Sequence, residues 1–219
     1  MKLPGTEKFV PAFSHALLAL TLVTVTPAAF ADAEAEADFQ KGREAYRVND
    51  IVGAMAPLKK AADTGHAAAQ ALYGTILDTA EIDEEAVIYL KKAADQGDMD
   101  GEYGLAKMYL TGEAKAPDSA EAGRLMRSAA AKGQRLAVVT LAFAYIRHDR
   151  RLDAENAETK EASKILLKAA DFGEVDAIKA VAHGYRTGKY GFAPDPAKAE
   201  QWDTRLAEIL GTGKKGARK

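Results

Sequence analysis

Cysteine is absent from this chain of 219 residues, aromatic residues are few and the net charge is small. Without cysteine, the chain can have no disulfide framework, no thiolate metal site and no cysteine nucleophile. A net charge of −2 gives no excess of positive charge that would indicate a nucleic-acid partner. Aromatic residues make up only 7% of the chain, and much of the 47% hydrophobic content is alanine. That composition is typical of closely packed helices.

Long hydrophobic runs are also lacking, since the apolar stretch at residues 16–23 is too short to span a bilayer comfortably. It follows a basic start at Lys2 and Lys8 and precedes the Ala-Phe-Ala pattern of residues 29–31. This order predicts that residues 1–31 are a cleaved secretory signal peptide. We therefore expect a periplasmic or secreted bacterial protein without an integral membrane segment after cleavage. The alternative is an uncleaved membrane anchor.

A motif of two alanines, two further residues and a glycine occurs four times. Its glycines are Gly65, Gly97, Gly133 and Gly173, spaced by 32, 36 and 40 residues. Self-similarity at this period indicates stacked supersecondary units. Apolar residues precede each glycine at spacings of four and three, as at Ala54, Leu58 and Ala61, and so share one stripe of a helix. We expect the glycine to end that helix in the left-handed conformation.

A second helix is predicted to begin a few residues after each glycine, with small and large apolar residues alternating at fixed positions. The last unit carries the fullest motif, at Ala177, Val181, Ala182, Tyr185, Gly188, Gly191, Asp195, Lys198, Ala199 and Trp202. These residues resemble the Sel1-like repeat (SLR) family, a relative of the tetratricopeptide repeats. The resemblance implies an all-α, right-handed α/α superhelical solenoid of about five helix-turn-helix repeats over residues 38–210.

The segments that flank the predicted solenoid differ from it in composition. Residues 32–37 are acidic, and we expect them to be a frayed start of the mature chain. Residues 211–219 are rich in glycine and lysine, which predicts a flexible basic tail.

Motifs that carry chemistry are not found. The histidines are His15, in the predicted signal, His66, just past a predicted helix end, His148 and His183. None has a second ligand at the spacing of a metal site. The acidic cluster Glu81, Asp83, Glu84 and Glu85 lies at a predicted helix start, where negative charge complements the helix dipole. We therefore predict no catalytic, cofactor or metal site, and a protein that is not an enzyme.

The candidate binding surface lies on the first helix of the predicted repeats, which lines the concave face of a solenoid. In the fourth repeat the outward positions are all apolar, and the third repeat adds neighbouring residues. The predicted partner-binding residues are Tyr103, Lys107, Leu136, Val139, Phe143 and Ile146. Exposed apolar patches usually mark contacts, which favours a partner in the groove. The alternative is that residues 147–160 or the chain ends cover this stripe.

The function predicted from the repeats is that of an exported protein–protein interaction module. Some exported SLR proteins are periplasmic regulators that restrain the sensor kinase controlling exopolysaccharide synthesis. This chain resembles them in predicted localisation, repeat type and lack of a catalytic domain. The resemblance implies a sensor kinase or envelope protein as partner. The alternative is binding of cell-wall glycan or peptide, as an accessory to an envelope enzyme or, less in keeping with the motifs, as a hydrolase.

Overall fold

The computed structural model describes residues 27–114, 117–152 and 158–211, which form ten α-helices and no strand. The helices are α1 (Pro27–Arg47), α2 (Ile51–Asp63), α3 (Ala67–Thr79), α4 (Asp83–Asp95), α5 (Met99–Thr111), α6 (Ser119–Lys132), α7 (Arg135–Arg147), α8 (Lys160–Asp171), α9 (Val175–Thr187) and α10 (Pro196–Ile209). Two short 3-10 helices lie at Arg150–Leu152 and Lys189–Gly191. The all-helical repeat architecture predicted from the sequence is confirmed.

The helices pair in chain order as five hairpins. We call the first helix of each hairpin the A helix (α1, α3, α5, α7, α9) and the second the B helix (α2, α4, α6, α8, α10). Each B helix from α2 to α8 also packs against the A helix that follows it. A helices of neighbouring hairpins contact one another directly at α1–α3, α3–α5 and α7–α9. The A helices therefore line the inner side of the stack.

The predicted apolar stripe of the B helices forms the centre of the core. Its large members Leu58, Leu90, Met126 and Leu166 are at most 1% exposed. The glycine after each of these helices adopts a positive φ, from 78° at Gly97 to 101° at Gly65, so each helix ends as the repeat motif predicts. Local spacing therefore sets both the buried face and the end of each B helix.

Small residues on the A helices make room for the large residues of the B stripe. A Cβ atom built on Gly74 of α3 would lie 2.8 Å from Cγ of Leu90, and one on Gly104 of α5 would lie 2.7 Å from its Cδ2. Leu90 thus fits between two consecutive A helices. Gly42 of α1 makes the same kind of room for Leu58. This close packing fixes the distance between neighbouring hairpins.

The acidic segment at residues 32–37 is part of α1, so the prediction that it is frayed is wrong. Its carboxylates bind α2, the second helix of the same hairpin, and the turn after it. Lys60 Nζ lies 2.6 Å from Oε1 of Glu34 and 2.9 Å from Oδ2 of Asp38. His66 Nε2 lies 2.8 Å from Oε2 of Glu36. These contacts hold the acidic turns of α1 against the solenoid.

The remaining predictions about the flanks fall largely outside the described residues. The predicted signal peptide lies outside them up to residue 26, and α1 includes its last five positions, so cleavage stays a prediction. The basic tail lies outside them from residue 212 onward. Within the described part of the chain, no helix combines the length and the apolar character needed to cross a membrane.

Candidate functional site

Four A helices form a groove of about 580 Å³ on the inner side of the stack. Its walls come from α1, α3 and α5 and from the first turn of α7 with the residue that caps it. The lining residues are Phe39, Arg43, Tyr46, Ala68, Ala71, Leu72, Thr75, Asp78, Asp100, Tyr103, Gly104, Lys107, Gln134 and Leu136. Three hairpins and the start of a fourth therefore contribute to a single concave surface.

The floor of the groove is mainly apolar. Ala68 and Ala71 of α3 have small side chains that leave space in the groove, and larger side chains from the neighbouring helices border that space. Leu72 and Tyr103 are half-buried, and Leu136 is 53% exposed at the end of the groove. Exposed and half-buried apolar side chains around one concavity are the common composition of a ligand or partner site.

One buried charge pair lies in the wall. Lys107 Nζ is 2.5 Å from Oδ2 of Asp78, whose side chain is only 8% exposed. Burial lowers the pKa of Lys107, but the hydrogen bond and charge of Asp78 outweigh that effect and the net pKa is raised. Lys107 therefore stays protonated. Its side chain is 44% exposed, so the ammonium group also faces solvent.

The other polar groups of the groove differ in how far they are engaged. Asp100 accepts a hydrogen bond of 3.3 Å from Nε2 of Gln134. Gln134 itself caps α7, since its Oε1 accepts the backbone N–H of Ala137. Arg43 is exposed and stacks over Phe39, with its guanidinium carbon 5.6 Å from the ring centroid. The charge of Arg43 helps to lower the pKa of Glu36 and of Glu44 on the same helix.

His66 braces the α1 wall of the groove, a role that sequence reasoning missed. Its Nδ1 accepts the backbone N–H of Ala69 and so caps the start of α3. Its ring stacks on Phe39 with the ring centroids 4.7 Å apart. With Nδ1 accepting a hydrogen bond, Nε2 carries the proton and donates it to Glu36. The aromatic side chain that lines the groove is therefore held by a fixed histidine.

The six residues predicted to bind a partner do not form one continuous surface. Tyr103, Lys107 and Leu136 line the groove. Phe143 lies instead in a separate depression of about 270 Å³. Arg147 covers its ring at 5.5 Å from the centroid. The predicted stripe is thus divided along α7.

The last two predicted residues are less accessible. Val139 is half-buried, and Ile146 packs against the hydrophobic core. Residues 149–152 border the depression around Phe143, and Leu152 is 3% exposed. Part of the segment after α7 therefore approaches the stripe, as the alternative interpretation expected, although residues 153–157 lie outside the described part.

None of the predicted partner-binding residues comes from α1 or α3, although both helices line the groove. Phe39, Arg43, Tyr46 and Leu72 complete the surface that Tyr103 begins. The signal was present in the register of the repeats. Arg43 lies one residue after a small residue that packs on the B stripe, as Lys107 does in the third hairpin. Because the motif is weak in the first repeat, the sequence interpretation did not align Arg43 with Lys107.

The described residues contain no group of three or more histidine, aspartate or glutamate side chains that could hold a metal ion. The two carboxylates in the groove are each bonded to a neighbouring side chain. The arrangement offers apolar area, aromatic rings and cationic groups, and these can bind a ligand or partner.

Comparison with known proteins gives matches among solved structures alone. No protein-family model matches the chain, and no curated protein sequence matches it. A Sel1 repeat protein from Oxalobacter formigenes is 25% identical with a TM-score of 0.66, and the match covers 83% of this chain and 53% of that one.

A second match supports the fold alone. It is a protective antigen of uropathogenic Escherichia coli strains that displays an SLR fold, at 24% identity and a TM-score of 0.60. That match covers 82% of this chain and 39% of the antigen, so the chain spans about half of its structural neighbours' length or less. Repeat motifs, five helical hairpins and structural matches over most of the chain together show that this protein has the Sel1-like repeat fold and support its resemblance to that family.

Proposed function

We propose that this protein is an exported bacterial interaction module that binds a protein partner in its concave groove and is not an enzyme. The SLR fold is generally a scaffold for protein–protein interaction. A solenoid presents a long concave surface whose side chains can vary without changing the packing between repeats. The groove between α1 and α7 is a part of that surface with a cavity of about 580 Å³.

The observation that carries this proposal is the exposed apolar lining of the groove. Leu136 is 53% exposed there and lines the same groove as the half-buried Tyr103. Large apolar side chains around a concavity on a protein surface usually become buried against another molecule. Together with the predicted signal peptide, this surface favours a periplasmic partner such as a sensor kinase or an envelope protein.

A matched pair of variants tests the proposal. Leu136→Asp places a charge in the groove, whereas Ile88→Asp places one on B helix α4, outside it. Both wild-type side chains are 53% exposed, so the two substitutions should have similarly small effects on folding. We expect protein captured from a periplasmic extract by the immobilised wild type to be lost with Leu136→Asp and kept with Ile88→Asp. Equal capture by both variants would contradict the proposal.

The aromatic residues of the groove favour cell-wall glycan or peptide as a second candidate ligand. Tyr46 and Tyr103 lie on two of its walls, and aromatic faces are suited to stack on sugar rings. Titration with soluble peptidoglycan fragments distinguishes the candidates. Saturable binding that Tyr103→Ala removes would favour the glycan, and absence of binding would leave the protein partner.

A further inference from the structure

We infer that the groove selects a partner segment that is both acidic and apolar, with carboxylates at Arg43 and Lys107 and apolar side chains on the floor. This inference rests on the proposed function, since it names the chemistry of the partner. It follows from which polar groups of the groove are already engaged and which still face solvent.

The negative charge in the wall is not accessible to a partner. Asp78 has a side chain that is 8% exposed, and its Oδ2 bonds to Lys107. The other carboxylate, Asp100, is exposed but accepts a hydrogen bond from Gln134. It lies in the first turn of α5, at the opposite end of that helix from Lys107. Exposed acids outside the lining act on the two cations at longer range, since Glu113 raises the pKa of Lys107 and Arg43 helps to lower the pKa of Glu36 and of Glu44. The lining itself therefore lacks an accessible acid along one edge of the groove.

The positive charge at that edge is accessible. Among the described residues, Lys107 donates a hydrogen bond to Asp78 alone, and an ammonium group has three donors that can serve a partner as well. Arg43 is exposed and makes a cation–π contact with Phe39, its guanidinium carbon 5.6 Å from the ring centroid, so its charge remains available to a partner. Both residues lie in the C-terminal halves of their helices, α1 and α5.

The hydrogen-bond donors of the lining also favour an acidic partner. Tyr46 and Tyr103 add two hydroxyl groups to the lining, and both can donate to a carboxylate or a backbone carbonyl. Unengaged donors therefore outnumber accessible acceptors along this edge. A partner that supplies carboxylates would satisfy them, while a basic segment would bring like charge to Arg43 and Lys107.

The floor requires apolar side chains in the same segment. Leu72, Tyr103 and Leu136 border the cavity of about 580 Å³, and water there would contact mostly carbon. Burying leucine-sized groups supplies affinity, and the carboxylates supply selection between partners. A segment with glutamates along one side and leucines along the other matches both features.

Short labelled peptides serve as the probe in a fluorescence anisotropy assay with the full chain. The first is a helix-forming glutamate–leucine peptide, the second replaces its glutamates with lysine, and the third replaces its leucines with serine. We expect the first to bind about tenfold more tightly than the other two, since an exposed charge reversal and lost apolar burial are each worth on the order of 1 kcal/mol. Binding of the first should weaken as salt is raised.

Charge reversal in the protein provides the internal test. Arg43→Glu should weaken the glutamate–leucine peptide by about tenfold and improve binding of the lysine–leucine peptide. Arg124→Glu makes the same change of net charge on B helix α6 and should leave both affinities unchanged. Because both arginines are exposed, thermal melts of the two variants should remain close to that of the wild type.

Three results would overturn the inference. They are equal binding of acidic and basic peptides, a preference that survives Arg43→Glu, and no binding of any peptide. If the peptides fail while Leu136→Asp still abolishes capture from extract, the inference is wrong and the proposed function stands. If sedimentation shows a dimer that Leu136→Asp dissociates, a second copy of the chain fills the groove and the inference is wrong.

Discussion

Two glycines in the middle of helices should respond in opposite directions to alanine. Gly74 lies within α3, and a Cβ atom there would be 2.8 Å from Cγ of Leu90 and 3.1 Å from its backbone nitrogen. Gly123 lies within α6, and the atoms nearest to a Cβ atom there would be those of the Arg127 guanidinium, the first at 3.4 Å. Gly74→Ala therefore crowds the packing between two helices, whereas Gly123→Ala makes an ordinary van der Waals contact with the end of a flexible side chain.

The expected change in the free energy of unfolding includes one contribution that both variants share, the gain from replacing glycine by alanine in a helix. Replacing glycine by alanine inside a helix stabilises by about 0.5–1 kcal/mol at either site. Overpacking at a core contact costs about 1–3 kcal/mol, and only Gly74→Ala incurs it. We expect Gly123→Ala to be stabilised by about 0.5–1 kcal/mol and Gly74→Ala to lie about 1–3 kcal/mol below it. The difference between the variants isolates the packing effect.

Urea denaturation followed by circular dichroism at 222 nm measures both variants under the same conditions. If the free energy of unfolding falls with urea concentration as steeply in each variant as in the wild type, unfolding exposes the same amount of surface in all three proteins. Gly74→Ala with a stability equal to or above that of Gly123→Ala would refute the reasoning, because Leu90 would then not fill the space beside α3. A compensating Leu90→Val in the Gly74→Ala background should recover part of the loss.

Three further predictions concern a buried pair, pH and processing. Lys132→Met should cost about 1–3 kcal/mol in urea denaturation, since it removes the ammonium 2.7 Å from the buried Glu102, and a second change to Glu102→Gln should recover most of it. Burial raises the pKa of Tyr89, so the folded state holds that proton more tightly than the unfolded chain and stability should fall above about pH 10, less steeply in Tyr89→Phe. Exported protein should begin at Asp32 by mass spectrometry, and material that retains Met1 would contradict the signal-peptide prediction.

The pair of Glu102 and Lys132 shows how far the repeat pattern constrains the interior. One hairpin earlier, Gln70 and Gln96 occupy the same register and form a hydrogen bond of 2.7 Å. A neutral pair and a charged pair therefore serve the same junction between hairpins. This equivalence is why the double substitution should restore stability while Lys132→Met alone should not.

The sequence by itself determined the local structure of the repeats. Spacings of three and four place Leu58 and its equivalents on one face of each B helix, and a glycine at positive φ ends that helix. Both effects act within one or two turns of the chain. They can therefore be predicted without knowing which helices become neighbours.

Only the tertiary structure decided which faces share the groove. Phe39, Leu72, Tyr103 and Leu136 lie on four different helices, and their proximity depends on how each hairpin is rotated and spaced against the next. The sequence prediction assigned Phe143 to the same surface as Leu136, because both lie on the apolar side of α7. The separation of Phe143 into its own depression, with Arg147 over its ring, depends on residues 149–152 beyond that helix. Helical periodicity gives the direction of a side chain from its own helix, whereas a cavity is defined by distances between helices that are far apart in the chain.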